Sequence, residues 1–92
     1  MLLTFVAHFK PNAQEEHQAL KAAFTDHLMQ PLDPRIKLGG AITDETGRQA
    51  GVFLMLETGS LETAQRFLAD DPYRKLYDRV ELNVVQLEVG YV

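Results

Sequence analysis

The run Gly51–Tyr73, GVFLMLETGSLETAQRFLADDPY, holds a strand, a helix and a hard stop in succession, and it decides the fold. Val52-Phe53-Leu54-Met55-Leu56 is apolar at every position. Both faces of such a segment need cover, so 51–57 reads as a central strand. Gly59-Ser60 opens a helix, with Ser60 as cap and Glu62 near the positive end of the helix dipole. Leu61, Ala64, Phe67 and Leu68 share its inner face. The helix must finish at Asp70-Asp71-Pro72, because Pro72 has no N–H and pushes Asp71 out of the helical region. Asp71 is thereby held by backbone chemistry rather than by a place on a helix surface. A short extra turn is expected between Tyr73 and Tyr77.

Working outward toward the N-terminus, Asp44-Glu45-Thr46-Gly47 is a tight turn, preceded by a weaker strand over Arg35–Thr43. The stretch Arg35–Glu57 therefore reads as a β-hairpin. Gly39-Gly40 inside that strand suggests a bulge, or a place where a ligand or another backbone comes close. Gln30-Pro31-Leu32-Asp33-Pro34 breaks a preceding helix over Ala13–Met29. Ala13, His17, Leu20, Phe24 and Leu28 form its apolar stripe, and His27 borders that stripe, ~20° from the line of Leu20. Asn12 is the expected cap, with Glu15 completing a capping box. The first strand is Leu2–Phe9, with Leu3, Phe5, Ala7 and Phe9 inward and Leu2, Thr4, Val6 and His8 on a half-covered second face. The last strand runs over Val80–Val89, and its alternation slips by one near Val84-Val85, where a bulge is expected.

Strand, helix, strand, strand, helix, strand is the ferredoxin-like βαββαβ order. It gives an α+β fold with a four-stranded antiparallel sheet and both helices on one face. At 92 residues the chain is expected to be one domain, 1–92. A hydrophobic fraction of 46% is more than so small a monomer comfortably hides, and the second sheet face needs cover. Homodimerisation through that open face is the expected solution.

A net charge of −4, from 13 acidic and 9 basic residues, argues against nucleic-acid binding, which needs a basic patch. The chain has no cysteine, which removes disulfides, thiolate chemistry and cysteine zinc sites. No apolar run approaches the ~20 residues of a membrane span, and the N-terminus lacks a basic leader. The expectation is a cytoplasmic protein without membrane contact.

Two residues carry the candidate chemistry, His27 and Asp71. A histidine beside a carboxylate is a general base whose ring the carboxylate orients and whose charged form it stabilises. In an apolar pocket such a pair takes a proton from carbon next to a carbonyl, or drives an elimination. The plain alternative is a structural hydrogen bond between two helix ends. His8, Gly40 and Tyr73 are candidates for contact with a small-molecule ligand; His17 reads as a packing residue. Arg35, Arg48 and Arg74 are candidates to bind a substrate carboxylate, against the plain reading of solvated surface arginines. No histidine spacing suits a metal, so no metal or other cofactor is expected. Ser60, the sole serine, reads as a cap rather than a nucleophile.

Taken together these pieces resemble the YCII-related (YciI-like) family. The resemblance rests on the first strand, His27-Leu28 late in the first helix, Gly39-Gly40 before a turn, Gly51 opening the next strand, and Ser60-Leu61-Glu62-Thr63-Ala64 leading to Asp71-Pro72-Tyr73. It implies the dimeric α/β-barrel form of the ferredoxin-like fold. It also implies a His–Asp pair at the active site, on His27 and Asp71. Dehydrochlorinase chemistry among relatives implies proton transfer of lyase, dehydrochlorinase or isomerase type on a small organic acid. The sequence departs from the resemblance in lacking an arginine just before His27, where many relatives have a basic residue, and in having Gly40-Ala41 where Gly-Pro is common. Two other functions suit the same architecture: a non-catalytic small-molecule binding domain, and a haem- or oxygen-dependent monooxygenase with His8 or His27 as the iron ligand.

Overall fold

A computed structural model describes residues 1–86 of the chain. Its elements are β1 (Leu2–Phe9), α1 (Gln14–Met29), β2 (Arg35–Thr43), β3 (Gln49–Glu57), α2 (Leu61–Ala69), a single 3-10 turn (Arg74–Leu76) and β4 (Tyr77–Val85). The strands form one four-stranded antiparallel sheet in the order β2-β3-β1-β4. This is the ferredoxin-like α+β arrangement that the element order implies, and β3 is central as its two-sided apolar pattern requires.

Register follows from the alternation in β1. Phe5 faces Leu54 on one side and Leu82 on the other. Leu3, Phe5, Ala7, Val52, Leu54 and Leu56 are all buried on the face that both helices cover. Phe24 of α1, Ala64 of α2, and Tyr73 and Leu76 beyond it complete the core. Gly51 is required where β3 crosses β1: a Cβ there would lie 2.2 Å from the Ala7 carbonyl oxygen. On the opposite sheet face Leu2, Val6, Phe53 and Met55 are half-buried and Leu38 is exposed.

Four local expectations are revised. Asn12 does not cap α1: the cap position is Ala13, no side chain bonds the first turn, and Asn12 takes a left-handed φ of 65°. Asn tolerates that conformation through its short polar side chain, so the turn uses it for geometry instead of for capping. The Gly39-Gly40 pair is not a bulge. Both pair regularly, with Leu54 and Phe53, and the irregularities fall between Ile36 and Leu38 and between Ile42 and Thr43. The first of these makes Lys37 the extra residue, turning Ile36 toward the helices and Leu38 away. Leu61, the first residue of α2, is 37% exposed and stands outside the buried inner face of the helix. β4 begins at Tyr77, and pairing runs regularly through Val84 and Val85; the break sits at Asp78, between the pairs His8–Arg79 and Phe9–Tyr77. The remainder of the expected last strand, 87–89, lies outside the described residues.

Other sequence features hold. The Asp44 carboxylate accepts hydrogen bonds from the Thr46 N–H, the Thr46 hydroxyl and the Arg48 N–H, which closes the β2–β3 turn and pulls its own pKa down. Ser60 Oγ accepts from the Thr63 N–H at 3.1 Å and caps α2. Among the described residues no helix is long and apolar enough to cross a membrane.

Candidate functional site

Asp71 stands where α2 stops. The N–H groups of Asp70 and Asp71 close the last helical turn onto the Phe67 and Leu68 carbonyls, each at 3.3 Å. Pro72 prevents another turn, and the chain folds into the 3-10 turn, where the Arg74 N–H bonds the Asp71 carbonyl at 3.0 Å. That turn returns two groups to the Asp71 carboxylate. Oδ1 accepts from the Tyr73 N–H at 2.8 Å, and Oδ2 accepts a hydrogen bond from the Tyr77 hydroxyl. Asp71 is 5% exposed.

Burial raises the Asp71 pKa above the usual carboxylate range; the Tyr77 hydroxyl, the Tyr73 N–H and the charge of His27 oppose this without cancelling it. Tyr77 is pushed far up, first by burial and then by the adjacent carboxylate, so its hydroxyl remains a donor. Burial also raises Tyr73, with Asp71 adding to the effect. The site is thus a buried carboxylate held by one backbone and one phenolic donor. On its outer side, Asp71 and Pro72 form with Arg74 and Lys75 an open depression of about 430 Å³.

His27, on the last turn of α1, lies flat on Phe67 with ring centroids 4.2 Å apart. Its Nε2 is 2.9 Å from the Phe67 carbonyl oxygen. A carbonyl only accepts, so Nε2 carries the proton and donates. The bond falls on the C-terminal end of α2, where a donor is favoured by the negative end of the helix dipole. No hydrogen bond or ion pair joins His27 to Asp71. The charge of His27 reaches Asp71 only through space.

The remaining candidates are dispersed. Tyr73 positions Asp71 through its N–H, while its ring stacks on Phe24 at 4.0 Å in the core. Tyr73 and Gly40 both line a cleft between α1 and the β2–β3 hairpin, and Asp71 and His27 do not line it. His8 lies on the opposite sheet face, between Gly51 and Arg79. His17 is buried against Phe9 and Tyr73, and burial lowers its pKa, helped by Lys21 and opposed by the Gln49 side chain. No hydrogen bond of normal geometry reaches either of its ring nitrogens among the described residues. Sequence reasoning missed Tyr77 as the partner of Asp71. The spacing Asp-Pro-Tyr-x-x-x-Tyr is the available signal, since a single 3-10 turn after the proline carries the second tyrosine back. Among the described residues no group of three His, Asp or Glu side chains is arranged to hold a metal.

Solved structures share this architecture. One is the 5-chloro-2-hydroxyhydroquinone dehydrochlorinase TftG of Burkholderia phenoliruptrix AC1100, determined with 2,5-dihydroxybenzoquinone. It superposes with a TM-score of 0.82 over 94% of each chain, at 20% identity. A candidate antibiotic biosynthesis monooxygenase from Bacteriodes thetaiotaomicron matches with a TM-score of 0.58 at 17% identity, over 100% of this chain and 93% of its own. A NIPSNAP-like domain protein from Burkholderia xenovorans matches at 0.56 and 12% identity, over 99% and 87% of the two chains. At these identities the likeness is one of fold. No curated protein sequence matches the chain. The sequence profile of the YCII-related domain matches residues 1–86, and the chain belongs to that family.

Proposed function

We propose that the protein is a homodimeric acid–base enzyme of lyase or isomerase type, acting on a small organic acid or acidic phenol, with Asp71 and His27 as its proton-handling groups. The observation that carries the reading is Asp71 itself. A carboxyl group 5% exposed, with raised proton affinity and both oxygens engaged, sits at the edge of a depression that also holds two cations. A carboxyl whose pKa is raised toward the working pH is a better proton donor and acceptor than an ordinary surface aspartate. Arg74 and Lys75 supply charge for an anionic substrate at the same edge. Nε2 of His27 is committed to the Phe67 carbonyl, which leaves Nδ1 to take and return a proton.

In an elimination the base removes a proton from the substrate while the leaving group departs with its bonding electrons. No oxidant or reductant is needed. The fold shared with a dehydrochlorinase supports this class of reaction. The apolar sheet face formed by Leu2, Val6, Phe53 and Met55 supports the second copy.

The test is chloride release from 5-chloro-2-hydroxyhydroquinone, followed with the quinone absorbance, and the same assay on other halogenated phenolic acids. His27→Asn and Asp71→Asn are each expected to lower turnover by about 10²–10⁴-fold while circular dichroism and sedimentation stay those of the parent. Turnover unchanged in both variants sinks the assignment. Ligand-induced thermal stabilisation that never yields product would favour a binding domain.

A further inference from the structure

The cleft between α1 and the β2–β3 hairpin has a chemistry of its own. Its volume is about 440 Å³. Its walls are apolar, from Phe24, Leu28, Ile36, Val52, Leu54 and Tyr73. Lys21 is the one charged residue lining it, and neither Asp nor Glu does. Lys21 forms no ion pair with a carboxylate among the described residues. The Phe24 ring is backed by that of Tyr73, nearly parallel at 4.0 Å and inclined by 9°, so this wall is aromatic.

The cleft is open because of a missing side chain. Gly39 pairs with Leu54, on the sheet face that the helices cover, and a Cβ at Gly39 would point at Leu54 Cδ2 from 3.4 Å. That is ordinary contact, so nothing in the backbone forbids a side chain; its absence leaves room for something else.

We infer that this cleft binds a one-ring aromatic carboxylate, with the ring between Gly39 and the Phe24–Tyr73 wall and the carboxylate paired to Lys21. A flat apolar slot with a single cation and no anion selects for that combination of ring and charge. A ligand that is aromatic but uncharged lacks the pairing with Lys21; one that is charged but puckered does not lie flat on the wall. This site is distinct from the Asp71 depression, so the inference does not depend on the acid–base reading.

The experiment is titration of the ¹⁵N-labelled protein with 2,5-dihydroxybenzoate, with phenol and cyclohexanecarboxylate as controls. Amide shifts are expected at Thr25, Leu28, Gly39 and Ala41, with a weaker response to both controls. Gly39→Leu fills the slot and Lys21→Gln removes the charge, and each is expected to weaken binding by about tenfold or more. Absence of shifts at millimolar 2,5-dihydroxybenzoate overturns the proposal, as do shifts centred on Arg74 and Lys75 or an affinity unchanged in Lys21→Gln. Lys21 is exposed, so that variant folds even where Gly39→Leu does not. If 2,5-dihydroxybenzoate binds here and neither His27→Asn nor Asp71→Asn changes turnover, the acid–base reading fails and this site stands.

Discussion

Tyr77→Phe isolates the interaction that defines the site. The substitution removes a hydroxyl and leaves a ring that packs edge-on to Phe5 at 5.7 Å and stacks with Phe9 at 6.1 Å. What is lost is the hydrogen bond to Asp71 Oδ2, on a carboxylate 5% exposed that keeps the Tyr73 N–H on its other oxygen. Bonds to charged groups contribute about 1.5–3 kcal/mol, and here water cannot readily replace the donor. Urea denaturation at pH 7 is therefore expected to show a loss in that range, equivalent to about 10 °C in Tm for a chain of this size.

The sign of the pH dependence follows from Asp71. Its folded pKa is raised, so its favourable contribution is fully present below the unfolded value of about 3.9 and is lost as pH rises through the folded value. Tyr77 opposes that rise, so removing it pushes Asp71 further up. The deficit of Tyr77→Phe should accordingly be small in acid and grow toward neutrality. In an Asp71→Asn background the same substitution should cost under about 1 kcal/mol, because no charged acceptor remains. A deficit below about 0.5 kcal/mol at pH 7, or one independent of pH, would refute the reasoning.

Three further outcomes test the frame around the site. Gly51→Ala should destabilise by about 3 kcal/mol or leave the protein insoluble, since its Cβ would meet the Ala7 carbonyl at 2.2 Å; a soluble variant with parental Tm contradicts the β1–β3 register. Asp33→Ala should cost about 1–2 kcal/mol by thermal denaturation. Asp33 accepts from the Thr58 hydroxyl at 2.7 Å and the Gly59 N–H at 3.2 Å, tying the entry of β2 to the cap of α2. Phe53→Lys places a charge on the open sheet face and should convert a dimer to a monomer in sedimentation velocity, whereas a wild-type monomer at the same concentration removes the homodimer proposal.

The fold was legible because its signals are local and redundant. The all-apolar Val52–Leu56, the alternation in Leu2–Phe9 and the Ser60 cap each name an element, and Pro72 ends one. Boundaries that depend on neighbours were not legible. Asn12 and Glu15 spell a capping box, yet the turn needs Asn12 at positive φ and the helix begins beyond it. The β4 bulge at Asp78 comes from fitting Tyr77 opposite Phe9, a cross-strand constraint that the Val84-Val85 slip does not encode.

The site divides in the same way. The position of Asp71 at a helix stop follows from Pro72, but its partner follows from a 3-10 turn that brings Tyr77 back over it. His27 was readable as a helix-end histidine on the edge of an apolar stripe. Its bond to the Phe67 carbonyl depends on how α1 and α2 lie side by side, which no spacing within either helix records. Gly40 and Tyr73 line one cleft, whereas strand alternation sends His8 to the opposite face of the sheet.

The most direct test of the account is a ¹³C-detected titration of the Asp71 carboxyl in the parent and in His27→Gln. The account predicts that Asp71 titrates above the usual carboxylate range in the parent, and higher still when the histidine charge is gone. An ordinary titration in the parent, or one indifferent to His27, would contradict the coupling on which the proposed chemistry depends.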